Sequence, residues 1–397
     1  MAVAELSDFG LIVLVVASGV MLALLASKLS ERYPVPAPAL FLLLALAFPV
    51  ALPHIKTVER IGVVAVILIL FDGGMSIGWR RFRRAVVPIA TLGIVGTFTT
   101  AVVVTICAHF LLDLGWALSG VLGAALAPTD PAVMFSILGD KEIHGNTGTI
   151  LEGEAGVNDP VGIALVVGMV EFATTSGASP WSVVGEFLLQ MTIGLAVGVA
   201  GAALLVVFMR RVRLPGEGLY PLRSLAAAGI IYGLASVAHG SGFLAVFIAG
   251  LALGEVDVPH KREIQQFQAT LANLAEIVVF VALGLTVNVD QLFEHHVWLD
   301  GLLLAIALAF VARPIGLAPL LWPMRLRLGE KLFIAWGGLK GAVPILLAAF
   351  VILADVHDAR RIYEIVFVVV LFSVVVQGST VPLAAKRFRV PMRIVGR

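Results

Sequence analysis

The sequence predicts an all-α membrane protein of about thirteen transmembrane helices, and three observations predict it. Of the 397 residues, 60% are hydrophobic and only 13% are charged, whereas soluble domains carry about 25% charged residues. The mean hydropathy is +1.03. Apolar runs recur along the whole length instead of condensing into one core. Basic residues cluster in alternate connecting segments. The near-zero net charge of +1 argues against a nucleic-acid partner. The single cysteine, Cys107, lies in an apolar run and excludes an internal disulfide.

Thirteen stretches approach the 17–25 residues that a membrane-spanning helix needs. They fall near 9–27, 34–52, 61–78, 85–110, 116–136, 148–172, 181–209, 221–238, 241–256, 271–289, 298–322, 331–353 and 362–384. The first is not a cleavable signal, because the residues before it are acidic and its apolar run is too long. With the N-terminus outside and the C-terminus inside, inner segments hold 21 of the 27 lysines and arginines. The outer loops hold Lys56, Arg60, Arg360 and Arg361, and Arg313 and Lys340 fall inside spans. Trp79, Trp116, Trp181, Trp298 and Trp322 lie near span ends, as interfacial anchors do. The basic tail from Lys386 reads as a topology anchor with no soluble domain behind it. His239, His295 and His296 read as solvated loop residues.

Two spans are built to break. The fifth contains Ala127-Pro128-Thr129-Asp130-Pro131, and two prolines three apart cannot share one continuous helix. The twelfth contains Gly337-Gly338-Leu339-Lys340-Gly341-Ala342-Val343-Pro344. Broken helices at membrane depth are tolerated where protein or a hydrated cavity covers their free backbone groups. A matched pair, one in each half, points to a transport site between two repeats. The span count predicts a first repeat over 9–172, a linker helix over 181–209 and a second repeat over 221–384. Glycines 194, 198 and 201 of the linker have close-packing spacing and offer a candidate dimer face.

The buried charges carry the chemistry. Asp130 lies on the fifth span, Glu152, Glu154, Asn158 and Asp159 on the sixth, and Lys340 on the twelfth. A charged residue at the bilayer centre costs roughly 2.5–3.5 kcal/mol on insertion scales, so it faces a partner or a water-filled path. Asp159 and Asp130, with Asn158 and Thr129, form a hard oxygen site for Na⁺ or K⁺, and the same carboxylates can take a proton. One site that holds either ion is the minimum machinery of exchange. Asp130 can equally cap the half-helix after it. Glu154 is expected to form a structural ion pair with Lys340. Asp72 and Glu152 are candidate access-path groups, and the role of Arg313 is open.

At these residues the chain resembles the monovalent cation:proton antiporter superfamily, on its NhaP-type branch. The resemblance runs through Thr129-Asp130-Pro131, Glu154 with Asn158-Asp159, Gly338-Leu339-Lys340-Gly341-Ala342, and Phe71-Asp72-Gly73-Gly74-Met75. It implies an NhaA/NhaP-like fold of inverted repeats with crossed, discontinuous helices, a homodimer, and alternating access. It implies that Asp159 is the essential carboxylate, and that Asn158 marks the electroneutral branch. It places Thr129 and Asp130 at the unwound-helix site, and Lys340 as the partner of Glu154. Two positions depart from the family pattern. Ala155 stands where serine is common, which removes a side-chain oxygen, and Lys340 stands where arginine is usual.

The expected function is therefore exchange of Na⁺ or K⁺ for H⁺ across a cytoplasmic membrane, serving pH homeostasis. It is not enzymatic and has no cofactor beyond the transported ions. An intramembrane aspartyl protease would explain two membrane aspartates. It would not explain the buried lysine or the Asn-Asp pair, and neither aspartate has a Gly-x-Gly-Asp context. A cation channel would need a filter loop, and none is repeated here.

Overall fold

A computed structural model describes residues 2–30, 35–47, 54–138, 141–143, 145–175, 179–294 and 296–394. Thirteen helical spans follow one another in the described residues. They are Ala2–Ser30, Ala37–Ala47, Ile55–Arg84, Val86–Leu112, a split fifth, Asn146–Thr174, Pro180–Arg211, Leu219–Val237, Gly242–Glu255, Lys261–Gly284, Val297–Leu321, a split twelfth, and Ala359–Arg387. Seven described helices are long and apolar enough to cross a membrane, and shorter apolar helices fill the positions between them. His295 and the end of the second predicted span, 48–52, lie outside the described residues.

The breaks fall where proline and glycine put them. The fifth span is Trp116–Leu126 and Pro131–Leu138, and the twelfth is Leu328–Trp336 and Ala342–Leu353. Pro131 opens its half-helix at the position where a missing N–H costs nothing. Pro160, by contrast, sits inside Asn146–Thr174 without breaking it.

The third and tenth spans run well beyond their predicted apolar stretches. The third runs six residues beyond each end of its apolar stretch, through Lys56 and Glu59 at one end and Trp79–Arg84 at the other. The tenth begins at Lys261, ten residues early, because its polar first turns keep a buried stripe at Ile264 and Gln268. Chain outside the apolar slab can still be helical when one face is covered.

Close backbone approach positions the third span. Gly74, Gly250 and Gly254 bring it against the ninth, Gly242–Glu255, so closely that a Cβ at any of the three would meet backbone of the facing helix. Beyond this contact the third helix kinks at Gly78, whose φ of 69° suits glycine.

The linker glycines have a different role from the one expected. Gly194, Gly198 and Gly201 pack against Ser241, Ala245 and Ile231 of the same chain, with contacts of 2.6, 2.9 and 2.8 Å for a Cβ built at each position. This corrects the dimer-face reading of that stripe. The face opposite carries exposed Leu188, Leu195, Val199 and Leu204.

Three helices contain a wider π turn, at Thr91–Gly96, Leu308–Ala312 and Ser373–Gln377. A short two-stranded antiparallel ladder departs from the all-α expectation. It pairs Lys141–Ile143, between the two halves of the site, with Met392–Ile394 of the tail.

Candidate functional site

The two interrupted spans meet at their breaks. The backbone N–H of Asp130 donates to the Leu339 carbonyl at 2.8 Å, which joins the two unwound segments directly. The Asp130 side chain lies against Gly341, where any Cβ would overlap its carboxylate. Asp130 thus stands at the start of both following half-helices, Pro131–Leu138 and Ala342–Leu353, whose N-terminal dipole ends favour negative charge.

The opposite half-helix ends present bare carbonyls, and a buried cation answers each. Lys340, 1% exposed, donates its ammonium to the Ala127 carbonyl at 2.9 Å and the Pro128 carbonyl at 2.8 Å. Arg313, 3% exposed, reaches the other break. Its Nε donates to the Ala335 carbonyl at 3.0 Å and its Nη2 to the Ile334 carbonyl at 3.2 Å. Gly338 leaves the space that the guanidinium fills. The Lys340 backbone N–H donates to Ser373 Oγ, and Gln377 Nε2 donates to the Trp336 carbonyl. The π turn Ser373–Gln377 thereby ties off the remaining backbone of the twelfth-span break.

This geometry corrects the expected ion pair. Glu154, 2% exposed, is paired with Arg313 at 3.0 Å and not with Lys340. The reason is donor geometry. A planar guanidinium can serve a carboxylate and two carbonyls at once, whereas the lysine ammonium is occupied by the fifth-span carbonyls. The pair joins the sixth span to the eleventh.

Asn158 and Asp159 point into the crossing from the sixth span. Asn158 Nδ2 donates to Thr129 Oγ1 at 2.7 Å, so the carboxamide steadies the unwound fifth span. Asn158 Oδ1 and Asp159 Oδ1 are buried and accept no hydrogen bond among the described residues. Asp159 is 7% exposed, and Lys340 and Asp130 are the charges that bear on it.

A cavity of about 250 Å³ reaches Asp159 from the side of the basic loops. Its wall includes Asp72 and Ser76 of the third span, Asp130, Glu152, Ala155 and Asp159, and Asn273 and Glu276 of the tenth. Ser76 and Asn273 are exposed, Asp72, Glu152 and Glu276 are half-buried, and Asp159 is buried. Exposure therefore falls from mouth to floor, as in a vestibule wide enough for several waters. Asp72 lies within its helix and on the cavity wall, not at a helix end. Glu152 stands near the mouth with Arg81 at 3.5 Å.

The structure thus gathers Thr129, Asp130, Asn158, Asp159 and Lys340 at one crossing, puts Asp72 and Glu152 on the wall of the cavity that reaches it, and moves Glu154 to a neighbouring pair. Sequence reasoning missed Glu276 and left Arg313 without a role. Both carried a signal, since each is a lone charge in an apolar run.

Crossed, interrupted helices with carboxylates at the crossing and a vestibule on one side are the architecture in which membrane proteins of the secondary-transporter class build their sites. The chain belongs to the family described as sodium/hydrogen exchanger, transmembrane, which matches residues 7–387. It is 35% identical over 384 residues to the K⁺/H⁺ antiporter NhaP of Alkalimonas amylolytica, covering 95% of this chain and 66% of that protein. It is 30% identical over 379 residues to K⁺/H⁺ antiporter NhaP2 of Shewanella oneidensis, covering 93% of this chain and 66% of that protein. It is 27% identical over 333 residues to the Na⁺/H⁺ antiporter NhaH of Halobacillus dabanensis, covering 80% and 81%. The fold is that of the sodium proton antiporter MjNhaP1 from Methanocaldococcus jannaschii, with a TM-score of 0.79, 24% identity, and 91% and 97% of the two chains covered. The chain spans about two thirds of the length of the first two of these relatives.

Proposed function

We propose that this chain exchanges a monovalent cation, Na⁺ or K⁺, for H⁺ by competition at Asp159. The observation that carries the reading is a buried carboxylate oxygen that meets no donor among the described residues, set at the floor of a vestibule. Such an oxygen is satisfied either by a proton or by a cation with its remaining water. Asp130, Thr129 and Asn158 supply the neighbouring oxygens and hold the unwound backbone in place. K⁺ is the first cation to test, because the two more similar relatives named above are called K⁺/H⁺ antiporters.

Alternating access belongs to this reading. The two breaks are joined directly by the bonds from Asp130 to Leu339 and from Lys340 to Ala127 and Pro128, so on this reading the crossing moves as one unit against the spans around it. The division into repeats at 9–172 and 221–384 around the linker 181–209 belongs to this reading. So do a homodimer, a cytoplasmic membrane with the N-terminus outside, and a role in pH homeostasis. The neutral Asn158 beside Asp159 favours one charge moving each way, hence electroneutral exchange. Exchange makes and breaks no covalent bond in its substrate, which sets it apart from enzymatic use of the two aspartates.

The test is cation-driven dequenching of a pH dye in proteoliposomes with K⁺, Na⁺ and Li⁺ compared, with and without a valinomycin clamp. Cation-dependent proton movement that persists at zero voltage and disappears in Asp159→Ala is expected. Wild-type flux in Asp159→Ala would refute competition at this carboxylate, and purely voltage-driven cation flux would indicate a channel.

A further inference from the structure

We propose that Glu276 is a second cation-binding carboxylate of this chain, holding the ion in the vestibule opposite Asp159 and setting apparent cation affinity; this rests on the exchange reading. Glu276 lies in the run Leu271-Ala272-Asn273-Leu274-Ala275-Glu276-Ile277-Val278-Val279-Phe280 of the tenth span, between buried Ala275 and Ile277. A lone acid in that setting is expensive unless something answers it.

Its neighbours on the same side of the molecule are answered by arginine. Glu152 has Arg81 at 3.5 Å, Glu154 has Arg313 at 3.0 Å, and Glu255 has Arg80 at 2.8 Å. Glu276 has no arginine paired with it among the described residues. Its Oε1 is buried and meets no donor among them, as is also true of one oxygen each of Glu152 and Glu154, and the charge that bears on it is a second carboxylate, Asp130. Two carboxylates facing one small space do not both stay ionised unless a cation lies between them.

The facing wall supplies the second, independent observation. Asp159 lines the same cavity, is more than nine-tenths buried, and also has an oxygen without a donor. Ala155 lines the same cavity and has no side-chain oxygen to offer it. A cation entering at the mouth, by Ser76 and Asn273, therefore meets the half-buried carboxylates Asp72, Glu152 and Glu276 before the crossing.

The experiment compares wild type, Glu276→Gln and Glu276→Asp in two assays. In proteoliposomes, Glu276→Gln is expected to raise KM for K⁺ and Na⁺ about tenfold with Vmax within about twofold, the effect of one charge-assisted contact. Glu276→Asp is expected to recover most of that loss, and it carries the same test at reduced amplitude if Glu276→Gln does not fold. In detergent, scintillation-proximity binding of ⁸⁶Rb⁺ and ²²Na⁺ is expected to weaken in parallel, whether or not the protein turns over. Unchanged KM and unchanged binding in Glu276→Gln would overturn the assignment. So would a fall in Vmax and Tm with KM constant, which marks a purely structural group, or a wild type that binds neither ion. Wild-type binding without exchange would instead refute the exchange reading and leave the site standing.

Discussion

The two interrupted spans are closed in different ways. At the twelfth-span break, Arg313 serves the Ile334 and Ala335 carbonyls and is itself neutralised by Glu154. At the fifth-span break, Lys340 serves the Ala127 and Pro128 carbonyls. Both cations complement a half-helix C-terminus, where the dipole favours positive charge. The difference lies in what remains. The arginine side is a completed ion pair whose charges cancel. At the lysine side the ammonium caps the unwound fifth-span carbonyls beside Asp159. On the exchange reading, the twelfth-span break is scaffold and the fifth-span break is working machinery.

The largest expected effect tests the scaffold half. Glu154→Gln leaves Arg313 buried without its counter-charge and is expected to cost about 3–5 kcal/mol. Thermal unfolding in detergent should show a large drop in Tm, and Arg313→Met combined with Glu154→Gln should recover part of it. If Glu154→Gln is as stable as wild type, the distinction between the two breaks is lost.

The next effect tests the working half. Lys340→Met strips the donor from two buried carbonyls at about 1–3 kcal/mol, a smaller stability loss than that of Glu154→Gln. Its exchange rate, however, is expected to fall at least about tenfold, beyond what the folded fraction explains. Equal losses of stability and transport would make the two cations equivalent.

Glycine substitutions sharpen the same contrast. Gly338→Ala pushes on the Arg313 guanidinium and Gly341→Ala on the Asp130 carboxylate, each at about 1–3 kcal/mol of overpacking. Gly341→Ala is expected to raise the cation KM as well, and Gly338→Ala to lower Tm alone. Smallest is Thr129→Ala, which removes the bond from Asn158 at a cost of about 1 kcal/mol and is expected to raise KM a few-fold at near-constant Tm.

Much of this was legible in the sequence because breaking a helix requires particular residues. Pro128, Pro131, Gly337, Gly338 and Gly341 mark both interruptions, and Asp159 marks itself by its cost in an apolar run. The partner of Glu154 was not legible. Lys340 and Arg313 are both lone cations on later spans, and only packing decides which of them the sixth span faces. Glu276 was legible by the same argument that found Asp159, yet the hydrophobic window around it hid it. The linker glycines misled because close-packing spacing does not say whether the close neighbour is another copy or the eighth and ninth spans of the same chain. The π turns leave no compositional mark.

Those turns make the site sensitive to chain length as well as to residue identity. A π turn holds one residue more than the α turn it replaces, and each residue of an α-helix advances the side-chain direction by about 100°. Leu308–Ala312 ends immediately before Arg313, and Ser373–Gln377 contains both side chains that secure the twelfth-span break. Deleting one residue from the segment 308–312 would turn the π turn into an α turn and leave the later side chains in their directions, whereas deleting one from the regular stretch Val297–Ala307 would swing every later side chain on that helix by about 100° against the earlier ones. Arg313 would then turn away from Glu154 without any change in its own identity. A single-residue deletion in the regular stretch is thus expected to be worse tolerated than one within the π turn beside it.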